Sequence, residues 1–258
     1  MAYNFEGKVA LITGTASGIG LTAAACFAKN GAAVAAVDIA PSPAAVRAAT
    51  DAGGVAASFI CNIADEAQVR QLIGDVVLKF GKIDFAFNCA GIGPDGVRIP
   101  YTPLAETDAA DWQKVVDINL TGTFLLLKYE LAQMQKQGYG SIVNTGSTGG
   151  YRFPPGFHAY APTKAGVVAL TELASNENAG KGIRVNAVCP GPTYGTQLMD
   201  NSIASGDDVE ETMKNIIPTG RLNAMEDVVE AVMWLSSDLA RQTTGQSLFV
   251  DGGMHAKP

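Results

Sequence analysis

The sequence has few of the residues that bind metal ions or form disulfides. Its 258 residues include four cysteines and two histidines. Cys26, Cys61, Cys89 and Cys189 are scattered and form no Cys-x-x-Cys pair. Structural metal sites and disulfide frameworks need such residues at close, regular spacing. We therefore expect no metal, and we interpret the cysteines as small buried side chains in a reducing compartment.

Clustered positive charge and long apolar runs are also absent. The chain has 18 basic and 25 acidic residues, a net charge of -7, and this balance argues against nucleic acid or an anionic membrane as a partner. The apolar runs are too short to span a membrane. The N-terminal MAYNFEGKVALITG lacks the basic flank and long apolar core of a signal peptide. We expect a soluble, cytoplasmic protein.

What the sequence does contain is an alternation of short β-rich runs with longer helical patterns. Seven runs are predicted as strands: 8–13, 33–38, 55–60, 85–88, 141–145, 183–188 and 247–250. Helices are predicted near 18–30, 43–52, 66–80, 108–136, 158–179 and 226–237. Several strands are apolar on both faces, which is typical of a parallel sheet covered by helices.

This rhythm predicts one α/β domain over residues 1–258, a Rossmann-like, doubly wound, seven-stranded parallel sheet with helices on both faces. Residues 192–217 form the one long stretch without a predicted strand, and we interpret them as a lid over the substrate.

The first predicted strand runs into a glycine-rich turn, TGTASGIG (13–20), that opens the first predicted helix. Gly14, Gly18 and Gly20 let the backbone approach a pyrophosphate at the positive end of that helix. Their Gly-x-x-x-Gly-x-Gly spacing differs from the commoner Gly-x-Gly-x-x-Gly and, taken alone, also fits an ordinary tight turn. The position between a strand and a helix favours a dinucleotide site.

Asp38 ends the second predicted strand, 18 residues after Gly20. A carboxylate there can bind both hydroxyls of the adenosine ribose and would repel a 2′-phosphate. Its neighbours Ile39 and Ala40 supply no cation for that phosphate. The alternative, a cap on the helix that starts near Pro43, is disfavoured because a cap normally adjoins its helix. We predict NAD rather than NADP.

Tyr160 and Lys164 lie four residues apart, on one face of a predicted helix. Lowering a tyrosine pKa from about 10 to about 7 requires roughly 4 kcal/mol. One positive charge at about 4 Å supplies about that much at an effective dielectric near 20. The pair therefore predicts an acid/base near neutral pH. Pro162 is tolerated if it falls in the first helical turn, which places the helix start near His158 or Ala159.

Taken in order, these motifs resemble those of the short-chain dehydrogenases/reductases. The matching elements are TGTASGIG (13–20), Asp38, NCAG (88–91), Asn119, Ser147, the Tyr160/Lys164 pair, CPG (189–191) and VDGG (250–253). They run through almost the whole chain. The resemblance implies an oxidoreductase that interconverts a secondary alcohol and its ketone by hydride transfer with NAD(H).

The resemblance also implies residue roles. Tyr160 would exchange the proton, Ser147 would hydrogen-bond the substrate oxygen, and Lys164 would hold the nicotinamide ribose and lower the tyrosine pKa. Asn119 would help a water chain relay the proton to solvent. Cofactor contacts are implied for Gly14, Ser17, Gly18, Ile19, Gly20, Asn62, Ile63, Asn88, Ala90, Gly91, Pro190, Gly191 and Thr193. Asn62 replaces an Asp that is frequent in the family, and Thr196 competes with Thr193 for the carboxamide.

A homotetramer, or at least a dimer, is a further implication of the resemblance. Residues 165–174 are small and apolar around most of the helix circumference. Contact with another subunit and burial within one subunit both fit this pattern.

The loops that are expected to surround the reacting carbon predict the chemical class of the substrate. They are Gly93-Pro94, 149–157 and the start of the lid, and they supply Tyr151, Phe153, Phe157, Tyr194, Leu198 and Met199. This apolar and aromatic set favours a largely uncharged, medium-sized secondary alcohol, cyclic or aromatic. Arg98 and Arg152 are either solvated or hold an anionic group. His158 either contacts substrate or is a partly exposed residue at the helix start.

Three other functions fit the sequence less well. A serine hydrolase is disfavoured because Ser147 lies in TGSTG rather than Gly-x-Ser-x-Gly. A non-catalytic NAD(H)-binding module would not need Ser147, Tyr160 and Lys164 together. An NADP-dependent carbonyl reductase would need a cation near Asp38.

Overall fold

The computed structural model describes residues 3–204, 206 and 208–256. Six positions of the predicted domain (1, 2, 205, 207, 257 and 258) lie outside the described residues, and two of them fall within the predicted lid. Its strands are β1 (Val9–Thr13), β2 (Ala33–Asp38), β3 (Ala56–Ile60), β4 (Phe85–Asn88), β5 (Gly140–Thr145), β6 (Ile183–Pro190) and β7 (Ser247–Val250).

The strands form one seven-stranded sheet in the order β3-β2-β1-β4-β5-β6-β7, and all neighbouring strands are parallel. The predicted fold class is confirmed, and every predicted strand end lies within two residues of the observed one.

Ten helices are described. They are α1 (Gly18–Lys29), α2 (Pro43–Asp51), α3 (Glu66–Phe80), α4 (Ala109–Val116), α5 (Gly122–Gln137), α6 (Gly149–Arg152), α7 (Tyr160–Asn178), α8 (Gln197–Ala204), α9 (Val209–Ile216) and α10 (Met225–Ser236). Buried residues of α1, α2 and α10 pack on one face of the sheet, and those of α3, α5 and α7 pack on the other. The small side chains on α1, among them Ala23 and Ala24, let that helix pack close to the strands.

The helix predicted over 108–136 is interrupted. A five-residue π-helical turn, Asp117–Thr121, separates α4 from α5. The wider turn includes Asn119, whose side chain is buried and binds both backbone polar groups of Ile92. Single π turns within α-helices are frequently found at functional sites.

The stretch 192–217 has no strand among its described residues, as predicted, but it contains two helices, α8 and α9, that the prediction missed. In the described ranges, no helix is long and apolar enough to cross a membrane. All four cysteines are free thiols, and Cys61 and Cys189 are buried.

The strand order reverses between β1 and β4, which opens a crevice at the carboxyl ends of these strands. Ligands of open α/β sheets bind in such a crevice. The hydroxyl of Thr13, the last residue of β1, accepts hydrogen bonds from the backbone N–H groups of Cys89 (3.0 Å) and Ala90 (3.1 Å). The segments that leave the two strands are therefore held together at the mouth of the crevice.

Candidate active site

A cleft of about 1010 Å³ lies at this edge of the sheet. Most of the predicted cofactor residues line it. These are Gly14, Ser17, Gly18, Ile19, Gly20, Asp38, Asn62, Ile63, Ala90, Gly91, Tyr160, Lys164, Pro190, Gly191 and Thr193. Ser147 lines the same cleft, so a single cavity joins the predicted cofactor and catalytic residues.

The glycine-rich turn has the backbone that a phosphate cradle requires. Gly14 and Gly18 have φ values of 75° and 60°, in the left-handed region that favours glycine. A Cβ on Gly20 would lie 2.2 Å from the carbonyl oxygen of Gly14. Ser17 precedes α1 and makes no side-chain capping hydrogen bond to it. The N–H groups in the first turn of α1 therefore remain suited to binding an anion. This cradle fits a pyrophosphate.

Asp38 joins the end of β2 to that turn. Its carboxylate oxygens accept hydrogen bonds from the backbone N–H groups of Ala16 (2.9 Å) and Ile39 (2.8 Å). It does not cap α2, which is preceded by Ser42. Around Asp38 the cleft wall adds Ile39, Ala40 and Asn62, none of which is positively charged.

Tyr160 and Lys164 lie in the first two turns of α7, and Ser147 follows β5. Pro162 is the third residue of α7, in the first turn as predicted. The Lys164 Nζ donates a 2.7 Å hydrogen bond to the Thr145 carbonyl and lies 5.6 Å from the centroid of the Tyr160 ring. Ser147 accepts a hydrogen bond from the Gly149 N–H at 3.0 Å. Three of the four predicted catalytic side chains, Ser147, Tyr160 and Lys164, therefore meet at one wall.

Burial shifts the pKa values of both titratable groups at this wall. It raises the pKa of Tyr160, an effect opposed by a hydrogen bond with Ser147. It lowers the pKa of Lys164 to about 8. The predicted lowering of the Tyr160 pKa is therefore not found in this structure: burial raises the pKa of the phenol and lowers that of the ammonium group, because both lose solvation.

Asn119 lies behind this wall and does not line the cleft. Its amide oxygen accepts a hydrogen bond from the Ile92 N–H (2.9 Å), and its amide nitrogen donates to the Ile92 carbonyl (2.7 Å). The same oxygen would lie 3.2 Å from a Cβ on Gly91. Asn119 therefore fixes the backbone of the segment that follows β4.

Asn88 corrects the prediction of a cofactor contact. Its side chain does not line the cleft. It donates hydrogen bonds to Glu130 (2.9 Å) and to Asn144 (3.0 Å), and all three side chains are buried. Because successive strand residues face opposite sides, Asn88 points to the α5 face of the sheet while Cys89 and Ala90 continue into the cleft wall.

Thr193 and Thr196 both line the cleft. The Thr193 hydroxyl donates to the Gly191 carbonyl (2.9 Å), and the Thr196 hydroxyl donates to the Thr193 carbonyl (2.8 Å). A Cβ on Gly18 would lie 3.7 Å from the Gly195 carbonyl. The turn that leads into α8 therefore covers the glycine-rich turn.

At the substrate end, half of the predicted wall is correct. Phe157, Leu198 and Met199 line the cleft. Tyr151, Phe153 and Tyr194 do not. Tyr151 packs on Phe249 with ring centroids 4.9 Å apart, Phe153 is 60% exposed, and Tyr194 donates to Glu210. Sequence reasoning missed Ile92, Tyr101, Val209, Met213, Ile216 and Met254, which also line it. Ile92 adjoins the predicted Gly93-Pro94 segment, and Val209, Met213 and Ile216 lie within the predicted lid, where sequence alone does not give side-chain direction; Tyr101 and Met254 come from segments that no local pattern indicated.

The two arginines of the cleft wall differ in their partners. The Arg98 Nε donates to Asp95 at 2.7 Å. Asp95 is completely buried; burial alone would raise its pKa, but hydrogen bonds from Arg98 and from the backbone of residues 97–99 hold it at about 2. Arg152 instead donates to the Met254 carbonyl, and in the described residues no carboxylate pairs with it.

His158 is predicted either to contact substrate or to be partly exposed at the helix start. In the structure it is buried and does not line the cleft. Its side chain is 6% exposed, and its Nδ1 accepts a 2.7 Å hydrogen bond from the Ala159 N–H. The ring therefore supports the start of α7.

Comparisons with known proteins match nearly the whole chain. A family model described as Enoyl-(Acyl carrier protein) reductase matches residues 14–255. The chain is 38% identical over 253 residues to the 3-oxoacyl-[acyl-carrier-protein] reductase FabG of Thermotoga maritima, covering 96% of this chain and 98% of that protein. It is 39% identical over 259 residues to the cis-4-hydroxycyclohexanecarboxylate dehydrogenase of Sinomonas cyclohexanicum, covering 99% and 100%.

A solved structure of NAD+-bound xylitol dehydrogenase has a TM-score of 0.90 and 33% identity, covering 96% of this chain and 99% of that one. Sheet order, glycine-rich turn and the grouping of Ser147, Tyr160 and Lys164 agree with these matches. The chain belongs to the short-chain dehydrogenases/reductases, oxidoreductases that act on CH–OH groups with a nicotinamide cofactor.

Proposed function

We propose that the protein is an NAD-dependent dehydrogenase of a largely uncharged, medium-sized secondary alcohol. The observation that carries this proposal is the single cleft that joins Asp38 at one end to Ser147, Tyr160 and Lys164 at the other.

In alcohol oxidation, Tyr160 would accept the hydroxyl proton of the substrate as its phenolate while Ser147 orients the same oxygen. Burial raises the Tyr160 pKa, so the phenolate would depend on the positive charges of Lys164 and of bound NAD+. Ser147 is suited to this role because its oxygen already accepts the Gly149 N–H, which leaves its own hydrogen to donate. When bound, NAD+ supplies the hydride acceptor and a positive charge. Lys164, held by the Thr145 carbonyl, would bind the nicotinamide ribose. Asn119, which fixes the Ile92 backbone, would support the proton relay to solvent.

Asp38 supports NAD as the cofactor. Two backbone N–H groups fix its carboxylate at the end of β2, where it would accept the ribose hydroxyls. A 2′-phosphate placed there would meet this negative charge and a wall without a cation at Ile39 and Ala40. The solved relative named as NAD+-bound xylitol dehydrogenase agrees with this choice.

The composition of the cleft supports a neutral substrate. Phe157, Leu198 and Met213 offer apolar surface, and the charge of Arg98 is balanced by the buried Asp95. The relatives named for a cyclohexane alcohol and for xylitol agree with the reaction class. We expect oxidation to be the cellular direction, because NAD pools are kept mostly oxidised.

A second candidate is an alcohol that also carries a carboxylate. Arg152 favours it, because this arginine lines the cleft and pairs with no carboxylate in the described ranges. The relative named for 4-hydroxycyclohexanecarboxylate has such a substrate.

Residues 192–217 are proposed as the lid of this site. In the structure, α8 is held against the loop that precedes α4 by two side-chain hydrogen bonds. Asn201 donates to Asp95 (3.2 Å), and Ser202 is hydrogen-bonded to Tyr101. Leu198 and Met199 of the same helix face the cleft.

We also propose a homotetramer that uses the outer surface of α5 and α7. An apolar groove of about 440 Å³ runs between these helices. Phe124 is 47% exposed and Leu173 is 54% exposed, whereas the small residues Gly166 and Ala169 leave room for another helix to approach closely. The four free thiols agree with a cytoplasmic site of action.

Catalytic efficiency with NAD should exceed that with NADP by at least tenfold, or about 1.4 kcal/mol. Asp38→Ala should narrow this ratio because it removes both the repulsion and a ribose contact. Steady-state kinetics with both cofactors measure the ratio, and Asp51→Ala, at the exposed end of α2, should leave it unchanged. Equal efficiencies in the native enzyme would contradict the assignment.

Tyr160→Phe should lower turnover by roughly 10²-fold or more, the scale expected for a lost proton-transfer group, while NADH still binds. Tyr151→Phe is the matched control, because Tyr151 lies outside the cleft wall and should tolerate the change. Lys164→Ala should weaken both cofactor binding and turnover. Single-turnover rates and NADH fluorescence titration separate these effects. Near-native turnover in Tyr160→Phe would rule out its role as acid/base.

Neutral secondary alcohols should be oxidised more efficiently than their carboxylated counterparts. A paired panel of such alcohols, repeated with Arg152→Ala and Arg98→Ala, tests this expectation through kcat/KM. A preference of at least tenfold for the carboxylated members, lost in Arg152→Ala, would establish the second candidate. Loss in Arg98→Ala instead would mean that Asp95 does not neutralise that arginine toward the substrate.

Phe124→Glu should convert the oligomer to a smaller species, because a carboxylate at the groove would be desolvated on association. Light scattering after size-exclusion chromatography gives the mass directly. Leu78→Glu is the matched control, since Leu78 is 87% exposed on α3 and outside the groove. An unchanged mass for Phe124→Glu, or a monomeric native protein, would overturn the proposed surface.

A further inference from the structure

Glu130 is a buried carboxyl group that the proposed mechanism does not use. It lies in the middle of α5 on the side that faces the sheet and is 0% exposed. No Lys, Arg or His forms an ion pair with it in the described part of the chain. An ionised carboxylate in such a place carries a large desolvation cost.

The hydrogen bonds around Glu130 leave two acceptors without a partner. The Asn88 amide nitrogen uses its two hydrogens on Glu130 Oε2 (2.9 Å) and on the Asn144 amide oxygen (3.0 Å). The Asn144 amide nitrogen donates to Thr171 (2.9 Å), which in turn donates to the Val167 carbonyl (2.8 Å). Glu130 Oε1 and Asn88 Oδ1 are buried and have no hydrogen-bond partner among the described residues.

A single proton can satisfy both atoms. If it resides on Glu130 Oε1, that atom becomes a donor, and Asn88 Oδ1 is an acceptor on the same amide group that already binds Oε2. We propose that Glu130 is a neutral carboxylic acid in the folded enzyme and forms a two-bond acid–amide ring with Asn88. It acts there as a positioning residue for the cofactor wall. The proton comes from solvent, and no other bond changes.

The surroundings of the carboxyl group agree with this state. Burial raises the pKa of Glu130 to about 7, and the Asn88 hydrogen bond only partly opposes that rise. The polar side chains linked to it by hydrogen bonds are Asn88 and, through Asn88, Asn144 and Thr171, and none of them titrates or carries a charge.

The ring lies directly behind the proposed site. Asn88 is followed by Cys89, Ala90 and Gly91, which line the cleft. Asn144 precedes Thr145, whose carbonyl accepts the Lys164 hydrogen bond. Fixing the Asn88 amide therefore fixes the ends of two strands that form the wall, a role that rests on the proposed function.

The test compares Glu130→Gln with Glu130→Leu in the full-length protein. A glutamine retains the ring, because its amide nitrogen donates to Asn88 Oδ1 and its oxygen accepts from Asn88. A leucine of similar size removes both bonds and leaves the Asn88 amide unsatisfied. Glu177→Gln, at an exposed position of α7, is the control for the loss of a carboxyl group.

Infrared spectra recorded at about pH 6, about one unit below the pKa of Glu130 in the folded protein, should show the C=O band of a protonated carboxylic acid. The band should be present in the native protein and in Glu177→Gln, and absent from Glu130→Gln. NADH affinity should change by less than about twofold in Glu130→Gln and fall by about tenfold in Glu130→Leu, with kcat changing less than the KM for NAD.

Two results would overturn the proposal. One is a native spectrum with no carboxylic-acid band that Glu130→Gln removes, and the other is an NADH affinity in Glu130→Gln that is lower by tenfold or more. If Glu130→Leu does not fold, the spectrum and the glutamine variant still decide. The spectrum does not depend on activity, so a failure of the proposed alcohol chemistry would leave this result readable.

Discussion

The arrangement of the site depends on how closely the ends of β1 and β4 approach each other. At this point a Cβ on Gly14 would lie 2.9 Å from the Ala90 backbone, and the Thr13 hydroxyl holds both N–H groups that begin the β4 loop. Only a glycine with a left-handed backbone allows this contact. The strand order reverses at this point. The contact therefore fixes the position of the phosphate cradle on one side relative to the catalytic wall on the other.

The polar groups near this point are divided between two sides of the sheet. Those on the cleft side, Ser147, Tyr160 and Lys164, line the cleft. Those on the α5 side, Asn88, Asn144 and Glu130, bind one another. In the proposed arrangement, the second set holds the first in place, because a buried polar network has few alternative arrangements that satisfy its donors and acceptors.

Much of the fold and of the candidate site could be predicted from the sequence, because strands and helices leave regular patterns of residues. The strands are short apolar runs, and the Tyr160/Lys164 pair depends only on the four-residue repeat of a helix. The π turn at Asn119 could not be predicted, because its five residues are too few to establish a period of their own. Asn88 and Glu130 were misread or overlooked because their partners are distant in sequence. The direction of the Tyr160 pKa shift was missed because burial is a property of the assembled cleft.

The same distinction explains the substrate wall. Phe157, Leu198 and Met199 line the cleft as predicted. Tyr151, Phe153 and Tyr194 lie in the same segments but turn away, because side-chain direction in an irregular segment is set by tertiary contacts such as that between Tyr151 and Phe249.

The two hydrogen bonds between α8 and the loop that precedes α4 affect how fast the proposed lid would open. If residues 192–217 act as the proposed lid, Asn201–Asp95 and Ser202–Tyr101 would both exchange for water whenever the cleft opens. At about 1 kcal/mol each, they would slow opening by roughly thirtyfold if both break before the transition state. The residence time of the reduced cofactor would then be set by four side chains of α8 and of the loop that precedes α4, and turnover would be limited by product release.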